Sequence, residues 1–203
     1  MLVYIEFLSR QPGVSIEHFH LIAGGQVAWS GEYADDQLVL NLGRTFRTGP
    51  EPSYLAVWFN REAGLDRIGD WDRIFKSGVA KHMEEPFHLA ARIDAAGCYE
   101  PLVDPVPSAR GPYYGEYLDI AHGASRDDVR VFFEERRTRH SELELNLLVD
   151  RIGKLGPDPR CLAIWRAPSF GALEEIVREL DDVETPVRLV SGAFYENLGD
   201  EII

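Results

Sequence analysis

Apolar and polar positions alternate over Leu2–Ser9, with Val3, Ile5 and Phe7 on one face and Tyr4, Glu6 and Leu8 on the other. A period of two reads as a strand. Pro12-Gly13 turns the chain, and Ser15 is an N-cap candidate for a helix running to about Trp29, weakened by Gly24-Gly25. β-rich runs return at Leu38–Phe46 and Tyr54–Phe59, joined by the turn Gly49-Pro50-Glu51-Pro52. A second helix is expected within Leu65–Met83 and a fourth strand over Gly97–Leu102.

The same order then recurs. Strands are expected at Tyr113–Ile120, Leu143–Leu155, Arg160–Arg166 and Val187–Leu198. Helices are expected at Ser125–His140, opened by Ser125, Asp127 and Asp128, and at Phe170–Leu180, where Leu173, Ile176, Val177 and Leu180 keep helical spacing.

The recurrence extends to the residues themselves. Gly49-Pro50-Glu51-Pro52-Ser53-Tyr54-Leu55-Ala56-Val57-Trp58 returns 107 positions later as Gly156-Pro157-Asp158-Pro159-Arg160-Cys161-Leu162-Ala163-Ile164-Trp165. Tyr4–Leu8 matches Tyr114–Leu118 at a shift of 110, and Cys98–Leu102 matches Phe194–Leu198 at a shift of 96. Self-similarity of this kind sets the fold question before any single residue does. The expected class is α+β, with two tandem ferredoxin-like βαββαβ repeats over residues 1–104 and 112–203 and a Pro-containing linker over 105–111. Each such sheet leaves one face uncovered, so the two are expected to cover each other as a pseudo-dimeric α+β barrel.

Composition narrows the function more than the fold. The chain of 203 residues carries a formal charge of −13 and a pI near 4.9. Such a surface repels phosphate backbones and anionic lipid, so no nucleic-acid or membrane partner is expected. No apolar run approaches the ~20 residues that span a bilayer, and the start reads as a strand rather than a leader, so a cytoplasmic location is expected. Cys98 and Cys161 each sit in an apolar strand-like stretch and read as two buried thiols. No GxGxxG, P-loop, GxSxG or CxxC pattern occurs, and no tightly held cofactor is expected.

With these elements in place, Val131-Phe132-Phe133-Glu134-Glu135-Arg136-Arg137-Thr138-Arg139-His140 resembles an EthD-type aromatic helix ending in His. The strand Leu162-Ala163-Ile164-Trp165 followed by a helix fits the same style. The arrangement resembles the dimeric α+β barrel superfamily, which includes EthD-like, NIPSNAP-like and antibiotic-monooxygenase-like proteins. That resemblance implies a small-molecule site and spans monooxygenases, cyclases, dehydratases and haem proteins. At a shift of 110 the position matching His140 is Ser30, so the first half departs from the pattern.

The residues suggest candidates of their own. Glu6 and Glu116 hold matching places in the first strands of the halves. With Val3, Ile5 and Phe7 against helices, their face would line the space between the sheets, where a carboxylate acts as a general base or forms a structural ion pair with the matched Arg44 or Arg151. His140 follows a helix at the mouth of such a space, where its imidazole either moves a proton or stabilises the helix end. Arg44 and Arg151 are candidates to hold an anionic oxygen, and Tyr4, Tyr114 and Trp58 to line the ligand or simply fill the core. His82, Glu85 and His88 are interrupted by Pro86 and match no zinc spacing, so no metal site is expected. The function expected is an enzyme or binder for an apolar or aromatic small molecule held between the two sheets, acting by proton transfer. The alternative is a non-catalytic interaction module with a packed interior. A homodimer is compatible with either.

Overall fold

The structure, a computed structural model, describes residues 1–23, 36–46, 48–49, 53–76, 87–180 and 185–198. Eight strands form one closed barrel: β1 (Leu2–Arg10), β2 (Gln37–Arg44), β3 (Tyr54–Asn60), β4 (Ala91–Pro101), β5 (Pro112–Ile120), β6 (Glu144–Arg151), β7 (Cys161–Arg166) and β8 (Val187–Asn197). Helices lie outside it: α1 (16–23), α2 (Asp66–Lys76), α3 (Arg126–Arg139) and α4 (Glu174–Glu179), the last entered through a 3₁₀ turn at Gly171–Leu173. This is a mixed α+β fold on an antiparallel eight-stranded sheet.

The order around the barrel is β1-β3-β2-β8-β5-β7-β6-β4, with β4 returning to β1. Strands of the first half are contiguous, and so are those of the second. Two short seams join them. One pairs Leu42, Gly43 and Arg44 with Asn197, Glu196 and Tyr195. The other pairs Tyr99, Glu100 and Pro101 with Arg151, Asp150 and Val149. At the second seam Asp150 is fully buried beneath Arg160 (2.6 and 2.8 Å) and Arg126, and Arg126 also meets Glu100 of β4.

All eight strands send apolar side chains into one cluster that includes Val3, Ile5, Phe7, Leu42, Val57, Tyr99, Tyr113, Tyr117, Val149, Ile164 and Tyr195. A cluster fed by every strand is the barrel interior. The opposite faces pack under helices: Tyr114, Leu118, Phe133, Trp165 and Ile176 in the second half, and Leu8, Phe19, Leu38 and Ala56 in the first. This reverses the expected orientation of the first strands. Val3, Ile5 and Phe7 point into the barrel, and Glu6 and Glu116 share the face beneath the helices. Both faces of a barrel strand under helices are buried, so alternation identifies two faces without saying which is inside.

Some boundaries differ from expectation. β2 ends at Arg44 rather than Phe46, because Phe46 adopts φ 53°, a left-handed turn conformation. β6 ends at Arg151 rather than Leu155, and β4 begins at Ala91, six residues before Gly97, because Arg10 and Ser9 of β1 pair with Ala91 and Arg92.

Candidate functional site

Helix α3 begins with a full capping box: Ser125 accepts from the Asp128 backbone, and Asp128 accepts from Ser125. The spacing Val129, Phe133, Arg136 then turns one face of α3 onto the sheet. Arg136 and Glu116 are each 0% exposed. They meet through two parallel bonds, Nη1 to Oε2 at 2.8 Å and Nη2 to Oε1 at 2.9 Å. Trp165 donates its indole N–H to Glu116 at 2.9 Å. Arg136 Nε donates to Glu179 Oε2 at 2.7 Å, and His140 Nε2 lies 3.2 Å from that same oxygen. The guanidinium also lies 5.0 to 5.6 Å from the Phe133, Trp165 and Phe132 ring centres. Burial alone would raise the Glu179 carboxyl, but hydrogen bonds from Arg136 and Arg139 bring it below its ordinary value.

Sequence reasoning therefore identified two members of a real constellation, His140 and Glu116, and missed the Arg136 and Glu179 that join them. Of the two roles expected for Glu116, general base or structural ion pair, it forms an ion pair, with Arg136 rather than with Arg44 or Arg151. The Glu116 carboxylate is fully buried and receives three hydrogen bonds, two from one guanidinium and one from an indole, so it is closed off from solvent. His140 is the C-cap residue of α3, its backbone N–H donating to the Arg136 carbonyl at 2.9 Å. The arrangement locks a helix to a sheet.

Glu6 lies on the other side of the barrel, since three strands separate β1 from β5 by either route around the sheet. Trp58 donates to it at 3.1 Å, repeating the Trp165–Glu116 bond. Tyr4 packs on Trp71 with ring centres 4.9 Å apart. Trp71 in turn donates to Asp36, which Arg67 and Asn60 also hold. Tyr114 packs under the second-half helices with Phe194 at 5.4 Å. Ser30, Trp29, His82 and Glu85 lie outside the described residues, and His88 is exposed.

Arg44 and Arg151 follow the inward-facing positions of β2 and β6. Neither forms the expected bond that would make it the partner of Glu116, whose oxygens Arg136 and Trp165 occupy. Each instead holds its own hairpin. Arg44 donates to the Gly49 carbonyl (3.1 Å) and to Ser53 (3.2 Å). Arg151 donates to the Gly156 (2.9 Å) and Pro157 (2.7 Å) carbonyls and pairs with Asp158 at 2.9 Å. The matched arginines thus serve the matched Gly-Pro turns.

A concavity lies at the barrel end where β1, β2, β5 and β6 finish. It is a half-open cavity of about 730 Å³ lined by Phe7, Ser9, Arg92, Asp94, Ala95, Tyr117, Pro157, Asp158, Pro159, Val190 and Ser191. Two bulges shape it. The β1–β4 register slips between Phe7 and Leu8, leaving Asp94 out of the ladder, and the β5–β8 register slips between Tyr117 and Leu118, leaving Val190 out. On its floor the hydroxyls of Tyr117 and Tyr195 are 2.5 Å apart. Burial pushes Tyr195 up to about 12 and Tyr117 well above its ordinary value, while Arg44 acts in the opposite sense on both. On one wall Asp94 accepts from Arg92 (2.5 Å) and from Ser9. None of the lining residues was among the site candidates named from the sequence. The one available signal was the Gly-Pro turn itself, whose Pro157, Asp158 and Pro159 form part of the wall.

This geometry defines a closed α+β barrel with a half-open cavity at one end. No family model matches the chain, and no curated protein sequence matches it. Solved structures do resemble it. A protein assigned as a chlorite dismutase superposes with a TM-score of 0.59 at 9% identity, covering 98% of this chain and 96% of that one. A variant chlorite dismutase from Candidatus Nitrospira defluvii, in complex with cyanide, gives 0.56 at 8% identity over 98% and 92%. The encapsulated DyP-type peroxidase from Mycobacterium smegmatis gives 0.51 at 12% over 98% and 94%. The fold is thus that of chlorite dismutases and DyP-type peroxidases, which is related to dimeric α+β barrels; at such identities the likeness concerns the fold alone.

The superfamily resemblance includes haem proteins, and a haem needs an axial donor beside an open slot. Among the described residues the buried imidazole is His140, whose Nε2 faces Glu179. The space from there to the sheet is filled by Arg136, Phe133 and Trp165, the last two with ring centres 6.0 Å apart. These residues do not fit a haem. No helix among the described residues is long and apolar enough to cross a membrane.

Proposed function

We propose that this chain is a small-molecule-binding barrel protein that takes an apolar or aromatic compound at the open end of its barrel. The observation that carries this reading is the cavity of about 730 Å³, a size within the range of ligand pockets, with Phe7, Ala95, Pro157, Pro159 and Val190 as its apolar lining and hydroxyls at its floor and edge. Its rim supports the same reading. Phe46, Leu89, Ile93, Leu155 and Val190 are exposed large hydrophobics: Phe46 and Leu155 lie in the hairpin loops after β2 and β6, Leu89 in the helical turn just before β4, and Ile93 and Val190 three residues into β4 and four into β8. Phe46 is 88% exposed and held at φ 53°, where the matched residue is Gly153 at φ 56°. A bulky side chain in that conformation is disfavoured by roughly 1–2 kcal/mol, so displaying an aromatic ring at the rim has a cost that glycine avoids.

We further read the barrel as two tandem βαββαβ repeats, residues 1–104 and 112–203, in a cytoplasmic protein. The test is titration with N-phenyl-1-naphthylamine, an uncharged apolar fluorophore. A saturable emission rise with one site per chain is expected, and Ala95→Trp, which places an indole in the cavity, should abolish it while leaving far-UV circular dichroism unchanged. Binding that survives Ala95→Trp would place the ligand elsewhere. The second reading, a non-catalytic interaction module, is favoured by the filled barrel interior; retention of a protein partner by Ala95→Trp together with no fluorophore binding by the parent would select it.

A further inference from the structure

Two hydroxyls break the likeness of the halves inside the mouth. On the first-half side Phe7 of β1 stands directly opposite Ala95 of β4, and on the second-half side Tyr117 of β5 stands directly opposite Ser191 of β8. Directly opposed residues share one face of the sheet, and all four line the cavity. The pairs correspond, Phe7 to Tyr117 at a shift of 110 and Ala95 to Ser191 at a shift of 96. Tyrosine is phenylalanine with one oxygen added, and serine is alanine with one oxygen added. One matched pair is therefore wholly apolar, and the other differs from it by two hydroxyls.

Both hydroxyls have donor capacity to spare. Tyr117 and Tyr195 share a hydrogen bond of 2.5 Å. Two phenols carry two protons, the mutual bond uses one, and the other has no acceptor among the described residues. Tyr117 is the member of that pair that lines the cavity. The Ser191 hydroxyl has no hydrogen-bond partner among the described residues. The polar lining of the first half differs: Ser9 and Arg92 both donate to Asp94, and the Arg92 side chain is 62% exposed.

Charge decides which acceptor suits these donors. Burial keeps both phenols protonated through the neutral range. An anionic group would share the lining with Asp94 and Asp158 in a chain that carries −13 overall. A carbonyl oxygen brings lone pairs, no proton and no net charge, which is the complement of unspent O–H groups in an otherwise apolar wall.

We propose that the mouth selects apolar or aromatic compounds that carry an uncharged carbonyl oxygen, such as an aryl ketone, aldehyde or ester, with that oxygen toward Tyr117 and Ser191 and the apolar body against Phe7 and Ala95. This rests on the mouth being the ligand site, and the experiment separates the two claims. It compares 6-propionyl-2-(dimethylamino)naphthalene with its 6-propyl analogue, which has a methylene in place of the carbonyl, each by displacement of N-phenyl-1-naphthylamine. In a cavity without donors the carbonyl loses its water with nothing in return, and the ketone binds more weakly than the propyl compound. Here the ketone should bind at least about threefold more tightly. Tyr117→Phe and Ser191→Ala should each cut that preference by about threefold, with the propyl compound moved less than about twofold. The ketone's emission lies further to the red when its oxygen accepts a hydrogen bond, so it should shift to the blue in Tyr117→Phe.

A ketone that binds no better than the propyl compound in the parent overturns the carbonyl claim and leaves the mouth reading standing. A preference unchanged in both variants also overturns it. Failure of N-phenyl-1-naphthylamine to bind, or binding indifferent to Ala95→Trp, overturns the mouth reading and this inference with it. Tyr117→Phe takes a partner from the buried Tyr195; should that variant melt early, the ratio of the two affinities in Ser191→Ala decides alone, because a ratio measured on the folded fraction is independent of how much is folded.

Discussion

Replacing Arg136 by Met tests the reading that the His140 constellation is a structural lock. Arg136 and Glu116 are both wholly buried, and Arg136 supplies two of the three hydrogen bonds that Glu116 receives. Methionine keeps most of the volume against Phe133 and Trp165 but leaves the carboxylate with the Trp165 indole alone. Breaking a buried pair by removing one partner costs about 3–5 kcal/mol. For a chain of this size each kcal/mol moves Tm by roughly 2–4 °C, so a fall on the order of 6–20 °C is expected. The double variant Arg136→Met/Glu116→Leu removes the stranded charge as well and should recover most of the loss, because well-packed apolar replacements of buried pairs are often neutral or better. Urea unfolding of the parent, both single variants and the double completes a cycle, with a coupling energy of about 2–3 kcal/mol expected. A single-variant cost under about 1 kcal/mol, or a double that equals the sum of the singles, would refute the lock. So would an active-site phenotype in Arg136→Met without loss of stability.

The remaining expectations concern pH, backbone and caps. Burial would raise Asp36, but Arg67, Asn60 and Trp71 hold it below its ordinary value, as Arg136 and Arg139 do for Glu179. Depressed folded values mean that the stability from these groups is complete above the unfolded pKa of about 4 and lost as pH falls through the folded one. The urea midpoint should hold from pH 7 to pH 5 and drop below about pH 4, and a midpoint unchanged at pH 3 would contradict this. Phe46→Asn should raise Tm slightly, by up to about 1 kcal/mol of stability, since Asn tolerates the left-handed conformation, while weakening the fluorophore. Gly156→Ala should cost at least about 2 kcal/mol: its φ is +151°, and the added carbon would lie 2.8 Å from the Gly97 backbone across the mouth. Ser125→Ala removes the α3 capping box and should cost about 1 kcal/mol by thermal melting.

How much of this was legible in the chain depends on the scale of the feature. Strand existence was, because period-two runs such as Leu2–Ser9 and Tyr113–Ile120 are local. The correspondence of Gly49 with Gly156 also had structural meaning, since Arg44 and Arg151 bond to those two carbonyls. The inward face was not legible. In β1 the Val3, Ile5, Phe7 set and the Tyr4, Glu6, Leu8 set are both apolar enough to be buried, and both are largely buried. A lone Glu in such a set looks like a lining residue until its partner is known. That partner for Glu116 lies 20 residues away on α3, and its neighbour Glu179 lies 43 residues beyond Arg136. The mouth was hidden for a different reason: its shape comes from bulges at Asp94 and Val190, and a single-residue slip leaves no mark in composition or spacing.

Asp94 and Val190 also show where the two halves have parted. They stand 96 positions apart, the same shift that aligns Tyr99 with Tyr195, and both are the unpaired residue of a bulge facing the mouth. One bulge presents a carboxylate tied to Arg92 and Ser9; the other presents an isopropyl group next to Ser191. Beside each bulge, on the strand it pairs with, Phe7 matches Tyr117 at a shift of 110, so the carboxylate has a phenyl for its neighbour and the isopropyl group a phenol. A mouth built from matched strands yet lined by unmatched side chains has two unlike sides, each pairing a polar with an apolar group in the opposite order. A ligand entering it meets unlike surfaces on its two sides and is held in one orientation, which a symmetric mouth would not impose. Of the features that the halves share, the Glu–Trp bonds sit outside the barrel under the helices, while the arginine-held turn of the second half supplies Pro157, Asp158 and Pro159 to the lining. The bulge residues are where the two sides differ most, so exchanging Asp94 and Val190 should alter the affinity for the fluorophore while leaving the fold in place.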